Sequence, residues 1–195
     1  CLNAGATVVP MRPIGYQTNE VVLDNDDPGV TYTGAWLNSS HTVFYGDAGD
    51  TPYRYAYIAT NGATAGARYA PNLPSAGFYP VYTWVLHSGN RVHQRYRIRH
   101  SGGINEMRVN HRRVGAGWVW LGTYHFEAGA GGYVEISNDA PGYDPTNDVI
   151  IADAIRFGNG MGTIDRGGGV SGYEKELEAS RYWVQGMVGQ GMPSD

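Results

Sequence analysis

The sequence predicts an all-β fold, an antiparallel β-sandwich of the jelly-roll kind, with short α/β flanks and a C-terminal helix. Three observations predict it. Only 16% of the 195 residues are charged, while 29 are Gly and 15 are Tyr. Few charges with many turn-formers and aromatics suit strands better than helices. Between residues 21 and 157, short apolar or alternating runs are separated by Gly, Pro, Asn and Asp, the punctuation of strands and tight turns. One pair of runs also folds into a hairpin whose two faces sort cleanly.

Taken in order, residues 1–16 read CLNAGATVVPMRPIGY. Gly5 closes a helix end, and a buried strand follows at 6–9, which is half of an α/β unit. The central runs predict strands at 21–23, 53–58, 67–69, 79–87, 94–100, 104–111, 118–126, 133–136 and 149–157. Within RYRIRHSGGINEMRVN, a two-residue turn at Gly102-Gly103 sets Ile98 opposite Met107 and Tyr96 opposite Val109. Arg99 then meets Glu106, and Arg97 lies near Arg108, on the charged face. In the strand at 118–126, alternation puts Trp118, Trp120, Tyr124 and Phe126 on one face and Val119 and Leu121 on the other. Apolar residues on both faces predict a strand in the middle of the packing.

Past Gly158 the character changes. A glycine-rich connector leads to Ser171 and Glu174, spaced as a capping box. Tyr173, Leu177, Val184 and Met187 then recur at helical spacing. The reading is a flank at 1–20, a sandwich at 21–158, and a connector with an amphipathic helix at 159–195. Such a chain reads as a piece of something longer, and a domain inserted in another leaves and returns at neighbouring points. Val21 and Phe157 are therefore expected side by side.

Bulk properties narrow the function. The net charge of −4 offers nothing to nucleic acid or an anionic membrane. No apolar run approaches the roughly 20 residues that cross a bilayer. Cys1 is the sole cysteine, so an internal disulfide is excluded, as in a reducing compartment or an exported bacterial protein built without disulfides.

The six histidines, His41, His87, His93, His100, His111 and His125, form no HExxH and no close pair with a carboxylate, so no zinc site is expected. Asp24 and Asp26, with Asp139, Asp144 and Asp148, have the hard oxygens and loop context of a structural Ca²⁺ site; the same residues also make turns without metal. No other cofactor is expected. Asp153 lies inside a strand and is expected to hydrogen-bond a neighbouring loop or an Arg. The serines lack a GxSxG context. Trp36, Tyr45, Tyr53, Tyr55, Tyr57, Trp84, Trp118 and Trp120 are many rings for one sandwich, and most are expected in the core. As platforms for sugar rings the reading favours Trp36, Trp84 and Trp118. Arg95, Arg97 and Arg99 share one strand face, either as a solvated stripe or as forked donors to an acidic glycan.

Four segments carry a resemblance: VVLDNDDPGVTYTGAW, YRYAYIA, HSGGINEMRVNHRRVGAGWVWLGTYHFEAGAGGYVEISND and VIIADAIRF. Together, over about residues 21–157, they resemble the golvesin C-terminal-like domain, also called the xanthan-lyase carbohydrate-binding-like domain. The resemblance implies an antiparallel β-sandwich appended to bacterial extracellular enzymes, where it binds polysaccharide or cell wall; it transfers no binding residue. LNAGATVVPMRP and EKELEASRYWVQGM resemble flanks of zinc-dependent N-acetylmuramoyl-L-alanine amidases, whose zinc ligands would lie in the parent catalytic domain. The implied function is a non-catalytic carbohydrate- or cell-wall-binding module of an exported peptidoglycan amidase, extracellular or in the cell envelope. A structural or protein-interaction insert is the alternative, and a free-standing polysaccharide lyase or hydrolase domain the second.

Overall fold

The computed structural model describes residues 19–113 and 117–159. The expected strand at 6–9, the connector and the helix near 172–187 lie outside the described residues. No helix occurs among the described residues. Their strands are β1 (Glu20–Leu23), β2 (Val30–Thr33), β3 (Leu37–Asn38), β4 (Arg54–Tyr57), β5 (Gly66–Tyr69), β6 (Gly77–Val85), β7 (His93–His100), β8 (Gly103–Asn110), β9 (Gly117–Phe126), β10 (Tyr133–Ser137), β11 (Val149–Ala152) and β12 (Ile155–Gly158).

The strands pair antiparallel into three sheets, ordered β1-β12-β6-β9, β2-β5-β10-β7-β8 and β11-β4-β3. The alternation of side chains along each strand explains the layering. Tyr79, Val81, Leu121, Phe126 and Phe157 of the four-stranded sheet meet Tyr69, Tyr96, Ile98 and Val134 of the five-stranded sheet; Ala56, Ile150 and Ala152 of the three-stranded sheet join the same core. Two smaller cores lie on the opposite faces. One holds Tyr45, Tyr82, Trp84 and Trp118, the other Tyr53, Leu86 and Ile151 with Val43 and Phe44. The segment between β3 and β4 supplies Val43, Phe44 and Tyr45, and so covers the outside of both sheets.

Val21 pairs directly with Phe157, so the described chain enters and leaves at one place, as expected. The run at 149–157 is two strands rather than one. β11 pairs with β4 while β12 pairs with β1 and β6, and Asp153-Ala154 is the step between the sheets. The Asp153 carboxylate accepts the Tyr45 amide at 3.1 Å, its carbonyl accepts the Tyr69 hydroxyl at 2.7 Å, and the Ala154 carbonyl accepts the Trp84 amide at 2.8 Å. Asp153 thus bonds a covering loop, as its place in the strand suggested.

The hairpin differs in register. His100 pairs with Gly103 and Tyr96 with Met107, so the turn is Ser101-Gly102, not Gly102-Gly103. The Ser101 amide donates to the His125 carbonyl at 2.9 Å, and the Gly102 amide to His100 Nδ1 at 3.1 Å; these bonds hold a two-residue tip one position earlier in the chain. The changed pairing keeps every side chain on its expected face, but Arg97, not Arg99, stands opposite Glu106.

In β9 the register breaks beside Val81: Val81 pairs with Gly122 and Tyr82 with Trp120. Leu121 is the extra residue of a β-bulge, which reverses the alternation beyond it. Trp118 and Trp120 stay on the outer face, while Tyr124 and Phe126 turn into the main core, correcting the single aromatic face expected from sequence. β2 and β3 escape the sequence reading because they are short and largely solvated.

Candidate functional site

The tryptophan platform is not present in the expected form. Trp84 and Trp118 are each 1% exposed. Their rings meet edge to face at 5.5 Å, with Tyr45 at 5.1 Å from Trp118. The Arg156 guanidinium lies over Tyr82 at 4.0 Å and over Trp118 at 5.4 Å. Neither ring has a face free for a sugar. Trp36 is half-buried elsewhere, edge-on to Tyr32 at 5.2 Å, and its indole N–H donates to the Thr33 carbonyl at 3.0 Å.

The arginine stripe is real but already engaged. On the outer face of the five-stranded sheet, Arg97 lies 3.3 Å from Glu135, which also holds Arg68 at 2.7 Å. Arg95 pairs with Asp139 at 3.4 Å and donates to the Ser137 hydroxyl at 3.0 Å. Arg99 is exposed at the far end of β7. A groove of about 400 Å³ on this face is walled by Thr33, Gly66, Arg68 and Glu135, with no aromatic ring lining it among the described residues.

The candidate calcium ligands serve separate local tasks. Asp26 pairs with Arg54 at 2.7 Å, and Asp139 with Arg95. Asp148 accepts from Arg112 at 2.9 Å and from the Asp144 amide at 3.1 Å. Asp144 caps its own turn by accepting from Thr146, which lowers its pKa. Asp24 accepts the Asn25 amide at 2.7 Å, and burial, then the charges of Asp27, Asp50 and Asp26, push its pKa up to about 7. Among the described residues no group of three or more His, Cys, Asp or Glu is arranged to hold a metal.

A serine–histidine–glutamate contact does form. Ser101 Oγ lies 3.0 Å from His125 Nδ1 and 3.2 Å from Glu127 Oε1. Glu127 approaches that same Nδ1, at 3.9 Å, rather than the opposite ring nitrogen. The acid therefore does not orient the histidine as a base for the serine, and the three residues tie the hairpin tip to the end of β9.

The better site lies on the outer face of the three-stranded sheet. In Tyr53-Arg54-Tyr55-Ala56-Tyr57, strand alternation puts Ala56 in the main core and sends the three tyrosines outward. There a cavity of about 320 Å³ is lined by Tyr53, Tyr55, Tyr57, His41, Arg91 and Asn147. Tyr55 and Tyr57 stand edge to face at 6.2 Å, and Tyr57 is 47% exposed. Tyr53 is buried and marks the floor; its hydroxyl accepts from Arg91 Nη2 at 2.9 Å. On the rim, His41 Nδ1 accepts the Val43 amide at 3.0 Å, so the neutral ring carries its proton on Nε2. Rings, an amide, a guanidinium and an imidazole around one opening can stack on a sugar face and hydrogen-bond its hydroxyls. The period-two tyrosines were the signal available in the sequence; the preference for the larger tryptophans passed over it.

The profile of the Golvesin C-terminal domain family matches residues 21–159. A xanthan lyase of Bacillus sp. (strain GL1) is 36% identical over 151 residues, covering 76% of this chain and 16% of that protein. The structure of Paenibacillus xanthan lyase superposes with a TM-score of 0.62 at 32% identity, over 73% of this chain and 13% of that one. A family 35 carbohydrate binding module from Clostridium thermocellum gives a TM-score of 0.46 at 21% identity, over 71% of this chain and 98% of the module. The chain thus spans under one-fifth of the two lyases.

Proposed function

The chain belongs to the Golvesin C-terminal domain family, and from that premise we propose that it is a non-catalytic glycan-binding module of an exported bacterial enzyme acting on polysaccharide or peptidoglycan. The observation that carries this reading is the tyrosine-lined cavity beside β4, with an exposed ring at its mouth and polar groups on its walls. Its relatives support the glycan class: the matched segment is a small part of proteins named for action on xanthan. They also support an extracellular setting. Resemblance of the flanks to N-acetylmuramoyl-L-alanine amidases supports a cell-wall hydrolase as the parent catalytic domain, and the pairing of Val21 with Phe157 suits insertion into such a parent.

The test is retention of the full chain on xanthan, on insoluble peptidoglycan and on a neutral glucan. We expect at least one to bind, with Tyr57→Ala weakening it about tenfold, the scale of one lost ring contact. Tyr57 is exposed, so the variant should melt with the wild type. Retention on none of the three would favour a structural or protein-interaction insert.

A further inference from the structure

Arg91 gives the tyrosine cavity a charge that no carboxylate among the described residues balances. The residue is 5% exposed, and burial lowers its pKa. Nη2 donates to the Tyr53 hydroxyl and Nη1 to Asn90 Oδ1, both neutral acceptors, while Nε finds no hydrogen-bond partner among the described residues. Nearby, Arg112 has Asp148 at 2.9 Å, and the other buried arginine, Arg156, has Glu20 at 3.8 Å. No carboxylate lies within 4.0 Å of Arg91 among the described residues. Asp148, the acid of the adjoining turn, is committed to Arg112 and to the Asp144 amide. A guanidinium keeps its charge when buried, and a buried charge without a counter-charge is unfavourable unless an anion reaches it.

We infer that the cavity selects a sugar bearing a carboxylate, which pairs with the Arg91 guanidinium while Tyr55 and Tyr57 hold the sugar face. A carboxylate accepts in parallel from two guanidinium N–H groups, a stronger pairing than one with neutral oxygens. The inference rests on the glycan-binding reading and narrows it. The carboxylate has two chemical sources: carbon 6 of a uronic acid, or an acid appended to the ring, such as the lactyl ether of muramic acid.

The experiment is calorimetric titration of the full chain with three probes: an oligogalacturonate, its methyl ester, and a muramic-acid saccharide with a free lactyl carboxylate. At least one free acid should bind tenfold or more tighter than the ester, and whichever acid it is identifies the source. Arg91→Met should remove that preference, and Arg91→Lys should retain part of it. Arg68→Gln, in the opposite layer, should leave it intact, which separates the site from general charge attraction. Equal affinity for acid and ester, still weakened by Tyr57→Ala, would overturn the carboxylate inference and leave the glycan reading standing. Binding of none of the probes, nor of neutral glycans, would remove both. Should Arg91→Met fail to fold, the acid-against-ester comparison on the wild type decides.

Discussion

Replacing Asp24 by Asn should stabilise the protein at neutral pH. The carboxyl is half-buried in the Asp24-Asn25-Asp26-Asp27 turn, and burial with its acidic neighbours raises its pKa from 3.8 to about 7. Below the unfolded value, folded and unfolded chains both carry the proton. Between the two values the unfolded chain ionises first, so stability falls as pH rises; above about 7 the full cost remains. A gap of about three units, at ~1.36 kcal/mol each, caps that cost at about 4 kcal/mol. Solvent screening at a half-buried site reduces it to about 1–2 kcal/mol. Asn is isosteric and still accepts the Asn25 amide, so the exchange removes charge and little else. Thermal melts of both proteins at pH 4, 6 and 8 provide the assay. At pH 8 Asp24→Asn should melt about 3–8 °C higher, and the difference should close by pH 4. An equal offset at all three pH values, or lower stability at pH 8, would refute the reasoning. So would calcium, if millimolar calcium raised the wild-type melting temperature at pH 8 and left Asp24→Asn unmoved, because the carboxylate would then be a metal ligand rather than a proton acceptor.

His111 should act in the opposite sense. Burial, and then the charge of Arg91, push its pKa down to about 3, so stability present above the unfolded value of about 6.5 is lost as pH falls toward 3. In the Asp24→Asn background, His111→Gln should flatten that acid limb in denaturant titrations. Gly122→Ala should cost about 2 kcal/mol or more, because φ is +132° and a Cβ would meet Tyr124 Cζ at 2.6 Å; a melting temperature equal to wild type would contradict the bulge. Trp118→Ala should cost about 3–5 kcal/mol yet leave glycan affinity unchanged wherever the variant remains folded, since the ring is covered by Tyr45 and Arg156.

What the sequence determined by itself was local. Alternation along 94–110 placed the arginines outside and Tyr96 and Ile98 inside, and that sorting survives the changed turn because the pairing moved by an even step. The turn residues marked the long central strands, and the four quoted segments identified the family. Tertiary packing decided the rest. The Leu121 bulge moved Tyr124 and Phe126 into the core, which no run of apolar letters reveals. The step at Asp153 sent β11 and β12 to different sheets, because their partners come from distant parts of the chain. The covering segment with Val43, Phe44 and Tyr45 buried Trp84 and Trp118 and left Tyr57 open, so exposure did not follow ring size. Arg91 gives no sign of its unbalanced charge in sequence, since that depends on where Asp148, Arg112 and Tyr53 come to rest around it. Periodicity tells which face a residue takes; what covers that face is set by contacts between segments far apart in the chain.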